Sequence, residues 1–168
     1  MERVAAEMAR AERESERLCL AMLDLDHFKE VNDTYGHDAG DVVLCETASR
    51  MSSVLRPYDS IGRYGGEEFL VVFPKCGIDS AVAIAERIRR SISQARVRTQ
   101  TEEILVTASI GIAEVRHTTD ANAVIREADR ALFRAKQKGR DCVEFSTLER
   151  TSTGRQEPPD IGTFLSHD

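Results

Sequence analysis

The sequence predicts an α+β domain in which an about five-stranded, mostly antiparallel sheet is flanked by helices. Three observations carry this expectation. Short apolar runs that suit buried strands recur along the chain, amphipathic helical stretches separate them, and two of the runs are joined by a glycine pair, a hairpin signal. After a first helix the order is strand, helices, hairpin, helix, strand, helix, strand, with no fixed-period repeat.

Residues 3–17 are rich in good helix formers, with Glu and Arg mixed on every face, so this first helix would be marginal alone. Leu18–Asp26, LCLAMLDLD, is short, apolar and closed by acids, which suits a buried strand whose carboxyl end opens into a site. The polar stretch HFKEVNDTYGHDAGD has room for one short helix, punctuated by Gly36 and Gly40. From Asp41 to about Leu55, Val42, Cys45, Ala48, Met51 and Leu55 recur at helical spacing, and Pro57 follows the end. SIGRY, Gly65-Gly66 and EEFLVVFP then form a hairpin with two glutamates at its tip.

Ile78, Val82, Ala85, Ile88 and Ile92 mark a helix over residues 78–95, and residues 104–115 read as one long strand. A last helix from about Asp120 to Lys138 stops at Gly139, with Lys136, Lys138 and Arg140 around its C-terminal dipole. CVEF closes the sheet. The domain is expected to end at residue 146, because the segment 147–168, with Ser, Thr, Gly and a Pro-Pro pair, has little to bury.

The 168 residues, 41% hydrophobic and 31% charged, suffice for one domain with one sizeable core. Lys and Arg total 23 against 29 acids, a net charge of −6, which argues against a protein that grips nucleic acid by its phosphates. An anionic ligand must therefore meet a local basic cluster. Cys19, Cys45, Cys76 and Cys142 show no C-x-x-C pairing and three of them lie in apolar runs, which suits reduced thiols rather than a disulfide frame or zinc site. The first seventeen residues lack the apolar core of a signal peptide, and no stretch approaches the ~20 apolar residues of a membrane span, so the cytoplasm is the expected compartment.

Asp24 and Asp26 stand two apart at a strand end, and Glu67-Glu68 stand at a hairpin tip. If the two ends are neighbours, carboxylates converge and repel unless a divalent cation such as magnesium or manganese neutralises them. Spacing alone favours a plainer alternative, in which Asp26 caps the helix beginning near His27 and the glutamates are exposed turn residues. Gly65 and Gly66 would permit close nucleotide approach and positive φ, and Lys29, Lys136 and Arg140 would suit a polyphosphate.

In combination, DLDHFKEVNDTYGHDAGD, then RYGGEEF, then SIGIA and AKQKGR resemble the GGDEF family of diguanylate cyclases, in its GGEEF form, over about residues 4–146. The resemblance implies a five-stranded sheet wrapped by helices, similar to polymerase palms and nucleotide cyclases. It implies condensation of two GTP into cyclic di-GMP with release of two pyrophosphates, supported by magnesium or manganese, two ions per GTP. Asp24 would hold both ions and the backbone carbonyl of Leu25 one of them. Glu67 would be a further ligand and the base for the attacking 3′-hydroxyl, with Glu68 as an assisting ligand or positioning group. Asp26 matches the pattern too, but its capping role remains favoured over ligation.

The resemblance places Asn32 and Asp41 at guanine-reading positions. A carboxylate accepts from guanine N1–H and its exocyclic amine, a donor pair that adenine lacks. Otherwise the two residues read as a turn residue and a helix N-cap. Lys29 looks like the transition-state lysine, Lys136 with Arg140 like the phosphate clamp, and Gly65 and Gly66 like the nucleotide-facing backbone. His37, with Tyr35, would shape the substrate loop. Arg56-Pro57-Tyr58-Asp59 lies where many members carry an R-x-x-D product-inhibition site, with Arg87 as a third member. The pattern recurs at Arg126–Asp129, so only placement gives it weight; the plain alternative is a salt-bridged turn.

One departure stands out. Members usually begin with a D-x-L-T-x-L-x-N-R segment, and this chain starts just after its place, so an upstream sensor or dimerising region is expected to be missing. The reaction needs two facing domains, hence a homodimer. The competing function is a module that only binds GTP or cyclic di-GMP and relays a signal; the intact Gly65–Phe69, Lys29 and Asp24 speak against it, since a pure receptor needs no complete metal site. A cyclase with another base preference is disfavoured by Asn32 and Asp41.

Overall fold

The computed structural model describes residues 2–115 and 120–146; the predicted tail, residues 147–168, lies outside the described residues. Helix α1 (Glu2–Glu14) leads into strand β1 (Leu18–Leu25), then helices α2 (Phe28–Tyr35) and α3 (His37–Val54). Strands β2 (Ser60–Gly65) and β3 (Glu68–Pro74) form the hairpin, followed by helix α4 (Ile78–Ser93). The short strands β4 (Val97–Arg98) and β5 (Glu103–Ile104) precede β6 (Ala108–Glu114), helix α5 (Ala121–Gln137) and β7 (Val143–Ser146).

The main sheet has five strands in the order β2-β3-β1-β6-β7, antiparallel throughout except for the parallel pair β6–β7. The predicted fold class therefore holds. Every residue of β1 is buried, because helices cover both faces of the sheet around it. Cys19, Ala21, Leu23 and Leu25 join one core with α2, α3 and α4, while Leu18, Leu20 and Met22 join another with α1 and α5. Burial of each large aliphatic side chain contributes ~1.5–3 kcal/mol relative to exposure. Strand alternation then carries Asp24, next in the Leu18-Leu20-Met22 series, onto the α5 face at the end of β1.

Helix α5 rests directly on β6. A Cβ at Gly111 would lie 2.0 Å from the Leu132 nitrogen and 2.2 Å from the Ala128 carbonyl oxygen, so only glycine admits this approach of two backbones. That contact sets the height of α5 above the sheet, and with it the position of Lys136.

Three local expectations fail for physical reasons. Helix α1 is not uniformly charged: Val4, Met8 and Ala11 form one apolar face, at i, i+4 and i+7, against the second core. Helix α3 begins at His37 rather than Asp41, and it buries Gly40, Val43, Leu44, Thr47 and Met51, leaving Val42 and Cys45 exposed. The consecutive apolar residues Val42–Cys45 support two phases of the stripe, and packing selects the other one. The long strand over 104–115 is broken, since Glu103–Ile104 pairs with Val97–Arg98 and the chain then turns past Asp26, whose N–H donates to the Thr107 carbonyl at 3.0 Å.

The Gly111→Ala variant is expected to lose about 1–3 kcal/mol of stability, lowering Tm by roughly 3–10 °C in thermal unfolding. An unchanged Tm would show that α5 does not sit on the β6 backbone.

Candidate active site

The β1–β3 register makes Asp24 and Glu68 direct cross-strand partners. Leu70 and Val72, the alternate residues of β3, share the α5-side core, so Glu68 and Asp24 occupy the same sheet face. Such partners have Cβ atoms ~5 Å apart. Only Gly66 and Glu67 separate β2 from β3, and the Glu67 carbonyl accepts from the Leu25 N–H at 3.4 Å. The acidic strand end and the hairpin thus lie side by side. Glu68 is the first residue of β3 rather than part of the tip, and of the two glycines only Gly66 has positive φ, +46°. Arg63 Nε donates to the Gly66 carbonyl at 2.7 Å and braces the turn.

Two like charges in cross-strand register repel. Burial pushes the Asp24 carboxyl above the ordinary carboxylate range, against the hydrogen bond and charge of Lys136, while Glu67 and Asp26 add to the rise. Burial also raises Glu68, followed by the charge of Asp24, with Lys136 opposing. Lys136 Nζ lies 2.9 Å from Asp24 Oδ2. Among the described residues, no three His, Cys, Asp or Glu side chains are gathered into a metal-holding group, and the cation against Asp24 is this lysine. The oxygens of Asp24, the Leu25 carbonyl, Glu67 and Glu68 nevertheless have the chemistry that suits a hard divalent cation.

Asn32 of α2 packs over the first turn of α3: its Oδ1 would lie 1.9 Å from a Cβ at Gly40. Gly40, read from sequence as punctuation, therefore allows Asn32 to approach the residue next to Asp41. Asp41 is exposed inside α3 and is not its N-cap, which is Gly36 at φ +85°. Lys29 is exposed on the first turn of α2, and His37 is the exposed first residue of α3; neither side chain has a hydrogen bond or ion pair among the described residues. Tyr35 is likewise exposed.

Asp26 does not cap α2. The N-cap is His27, at φ 57°, with no side-chain capping bond. The buried Asp26 carboxylate instead accepts from Thr107 Oγ1 and Ser109 Oγ, both at 2.7 Å, and from the Asp141 N–H at 3.0 Å. Lys136 and Arg140 flank the end of α5, and the exposed Arg140 side chain has no partner among the described residues.

Farther along the chain, Arg56 grips Asp59 through Nη2 to Oδ1 at 2.9 Å and Nε to Oδ2 at 3.1 Å, and its backbone N–H also donates to Oδ2. The Asp59 side chain is fully buried, and the Arg56 guanidinium lies 4.7 Å from the centre of the exposed Tyr58 ring. Arg56 and Asp59 thus close a salt-bridged turn. Arg87 is exposed on α4 and makes no ion pair with Asp59.

Fold and site together define an α+β domain whose central sheet presents a paired-acid end beside a glycine hairpin. A family model described as "Diguanylate cyclase, GGDEF domain" matches residues 1–142, and the chain belongs to the GGDEF family. Diguanylate cyclase A of Treponema denticola is 42% identical over 132 residues, covering 78% of this chain and 36% of that protein. The GGDEF domain of DgcB from Caulobacter crescentus, solved in complex with cyclic di-GMP, superposes with a TM-score of 0.82 at 35% identity, covering 86% of each chain. The active GGEEF domain of a Vibrio cholerae diguanylate cyclase gives 0.81 at 33% identity, covering 88% of this chain and 94% of that one. The chain spans about a third or less of the length of the curated cyclases it matches. No described helix is long and apolar enough to cross a membrane.

For an acid with a raised folded pKa, stability is greatest when the group is protonated and falls as pH rises from the unfolded value through the folded one. Glu68→Gln should therefore raise Tm at pH 7 by roughly 1–3 °C, the gain fading below about pH 4. A Tm that falls equally at both pH values would contradict the repulsion.

Proposed function

We propose that this domain is a diguanylate cyclase that condenses two GTP into cyclic di-GMP and two pyrophosphates. The observation that carries this is the Asp24–Glu68 cross-strand pair, with Glu67 in the adjoining turn and Lys136 against Asp24. Each 3′-oxygen attacks the α-phosphorus of the other GTP, a new P–O bond forms, and the bond to pyrophosphate breaks. Glu67 takes the hydroxyl proton. Magnesium or manganese, two ions per GTP, would be held by Asp24, the Leu25 carbonyl, Glu67 and Glu68, and when bound supplies neutralisation of charge on nucleophile and leaving group.

Asn32 and Asp41 read guanine, in a loop shaped by His37, and Gly65 and Gly66 let the backbone approach the nucleotide. Lys136 and Arg140 hold the phosphates, and Lys29 stabilises the charge that develops on them. One domain presents one GTP, so a homodimer of facing domains is the working species, acting in the cytoplasm where GTP is available. Arg56, Asp59 and Arg87 form a product-inhibition site, in which arginine donates to the Hoogsteen edge of guanine.

Incubation with GTP and magnesium at several protein concentrations, followed by nucleotide chromatography, should show cyclic di-GMP formed at a rate rising faster than linearly with protein. Asp24→Asn and Glu67→Gln should lose the product while keeping the circular dichroism of the folded domain. Product from either variant at the wild-type rate removes that residue from the mechanism. GTP that binds wild-type protein and stays intact at every concentration favours the signalling-module alternative instead.

Arg87→Ala leaves the buried Asp59 carboxylate paired, and it should weaken cyclic di-GMP binding in calorimetry and relieve feedback. An unchanged titration would count against the inhibitory site.

A further inference from the structure

We propose that Asp26 is a positioning residue that locks the loop after α5, and through it Arg140, into register with the acidic end of β1. The inference rests on the phosphate-binding role proposed for Arg140.

Three chain segments meet at the Asp26 carboxylate. Oδ1 accepts from Ser109 of β6, and Oδ2 accepts from Thr107, just before β6, and from the backbone N–H of Asp141, between α5 and β7. The group is 5% exposed, and all three partners are donors. An ionised carboxylate is acceptor-only and satisfies them together, whereas an isosteric amide must turn an NH2 toward at least one. Asparagine could keep the three contacts only with its NH2 turned to Ser109, whose hydroxyl would have to reverse and accept, and without the charge that strengthens each bond.

The loop it holds needs holding. Gly139, Arg140 and Asp141 lie in succession in the left-handed region, at φ +112°, +65° and +45°. Glycine accepts that conformation freely, but two consecutive non-glycine residues persist there only when their surroundings impose it. The constraints are visible. Arg140 N–H donates to the Ala135 carbonyl at 3.2 Å, Asp141 N–H donates to Asp26, and Arg89 Nη1 of α4 donates to Asp141 Oδ1 at 2.7 Å. The Arg140 side chain has no partner of its own among the described residues, so its position is set by where the held backbone lets it depart. Asp26 stands two residues from Asp24, so one strand end both carries the acid facing Lys136 and clamps the loop carrying Arg140.

Calorimetry with a non-hydrolysable GTP analogue and magnesium, paired with NMR shift titration by guanosine, separates phosphate recognition from base recognition. Asp26→Asn should weaken the triphosphate analogue about tenfold, the loss of roughly one charge-assisted contact, and leave guanosine binding unchanged. Thr107→Val, which removes a single hydroxyl from Asp26, should give a smaller loss in the same direction. In the Asp26→Asn/Arg140→Ala double variant the loss should match that of Arg140→Ala alone, because both act through one group. Equal weakening of guanosine, or a double variant in which the two losses simply add, overturns the assignment. So does an Asp26→Asn variant of wild-type affinity while Arg140→Ala is weakened. If Arg140→Ala itself changes nothing, the phosphate role of Arg140 fails, and this inference fails with it.

Discussion

The structure turns on a confrontation of like charges. The register between β1 and β3 is held by alternate apolar residues of both strands, and a slip of one residue would turn each set to the opposite face. That register sets Asp24 directly opposite Glu68, with Ser109 of β6 on its other side, and burial raises both carboxyls. A cation must sit nearby, and in this structure it is Lys136. The lysine can arrive only because Gly111 lets α5 lie on β6. A hydrophobic pattern, one missing Cβ and one ammonium group thus account for an arrangement that electrostatics alone would disperse.

The carboxyl end of β1 is also where the two helical layers part. Asn32 and Asp41 come from α2 and α3 on one side of the sheet, whereas Lys136 and Arg140 come from α5 and its following loop on the other. In the function proposed above, a nucleotide bridging the layers would lay its base toward the first pair and its phosphates toward the second, across the acids. The Asp26 network belongs to the same design, tying β1, the approach to β6 and the loop before β7 into one rigid rim.

Much of this was legible in the residues. The runs LCLAMLDL and EFLVVFP read as strands because burial on both faces leaves no polar residue within them until the acids at their ends. The glycine pair marked the hairpin, and the motif order pointed to the family. Phase and partner were not legible. Four apolar residues at Val42–Cys45 cannot say which two face inward, and a helix with only Val4, Met8 and Ala11 on its apolar face hides them among charges. Asp26 looked like a cap because its donors, Thr107, Ser109 and Asp141, are more than eighty residues away in sequence. Likewise Gly40 and Gly111 owe their identity to neighbours that only the tertiary structure supplies.

The measurement nearest the centre of this account is a carboxyl-carbon NMR titration of Asp24 and Glu68, first without metal and then with magnesium and a non-hydrolysable GTP analogue. Facing acids at the end of β1 should titrate above ordinary carboxylates in the first case and fall once the cation and nucleotide are present. Ordinary midpoints that ignore magnesium would mean that the two groups neither confront each other nor hold an ion together.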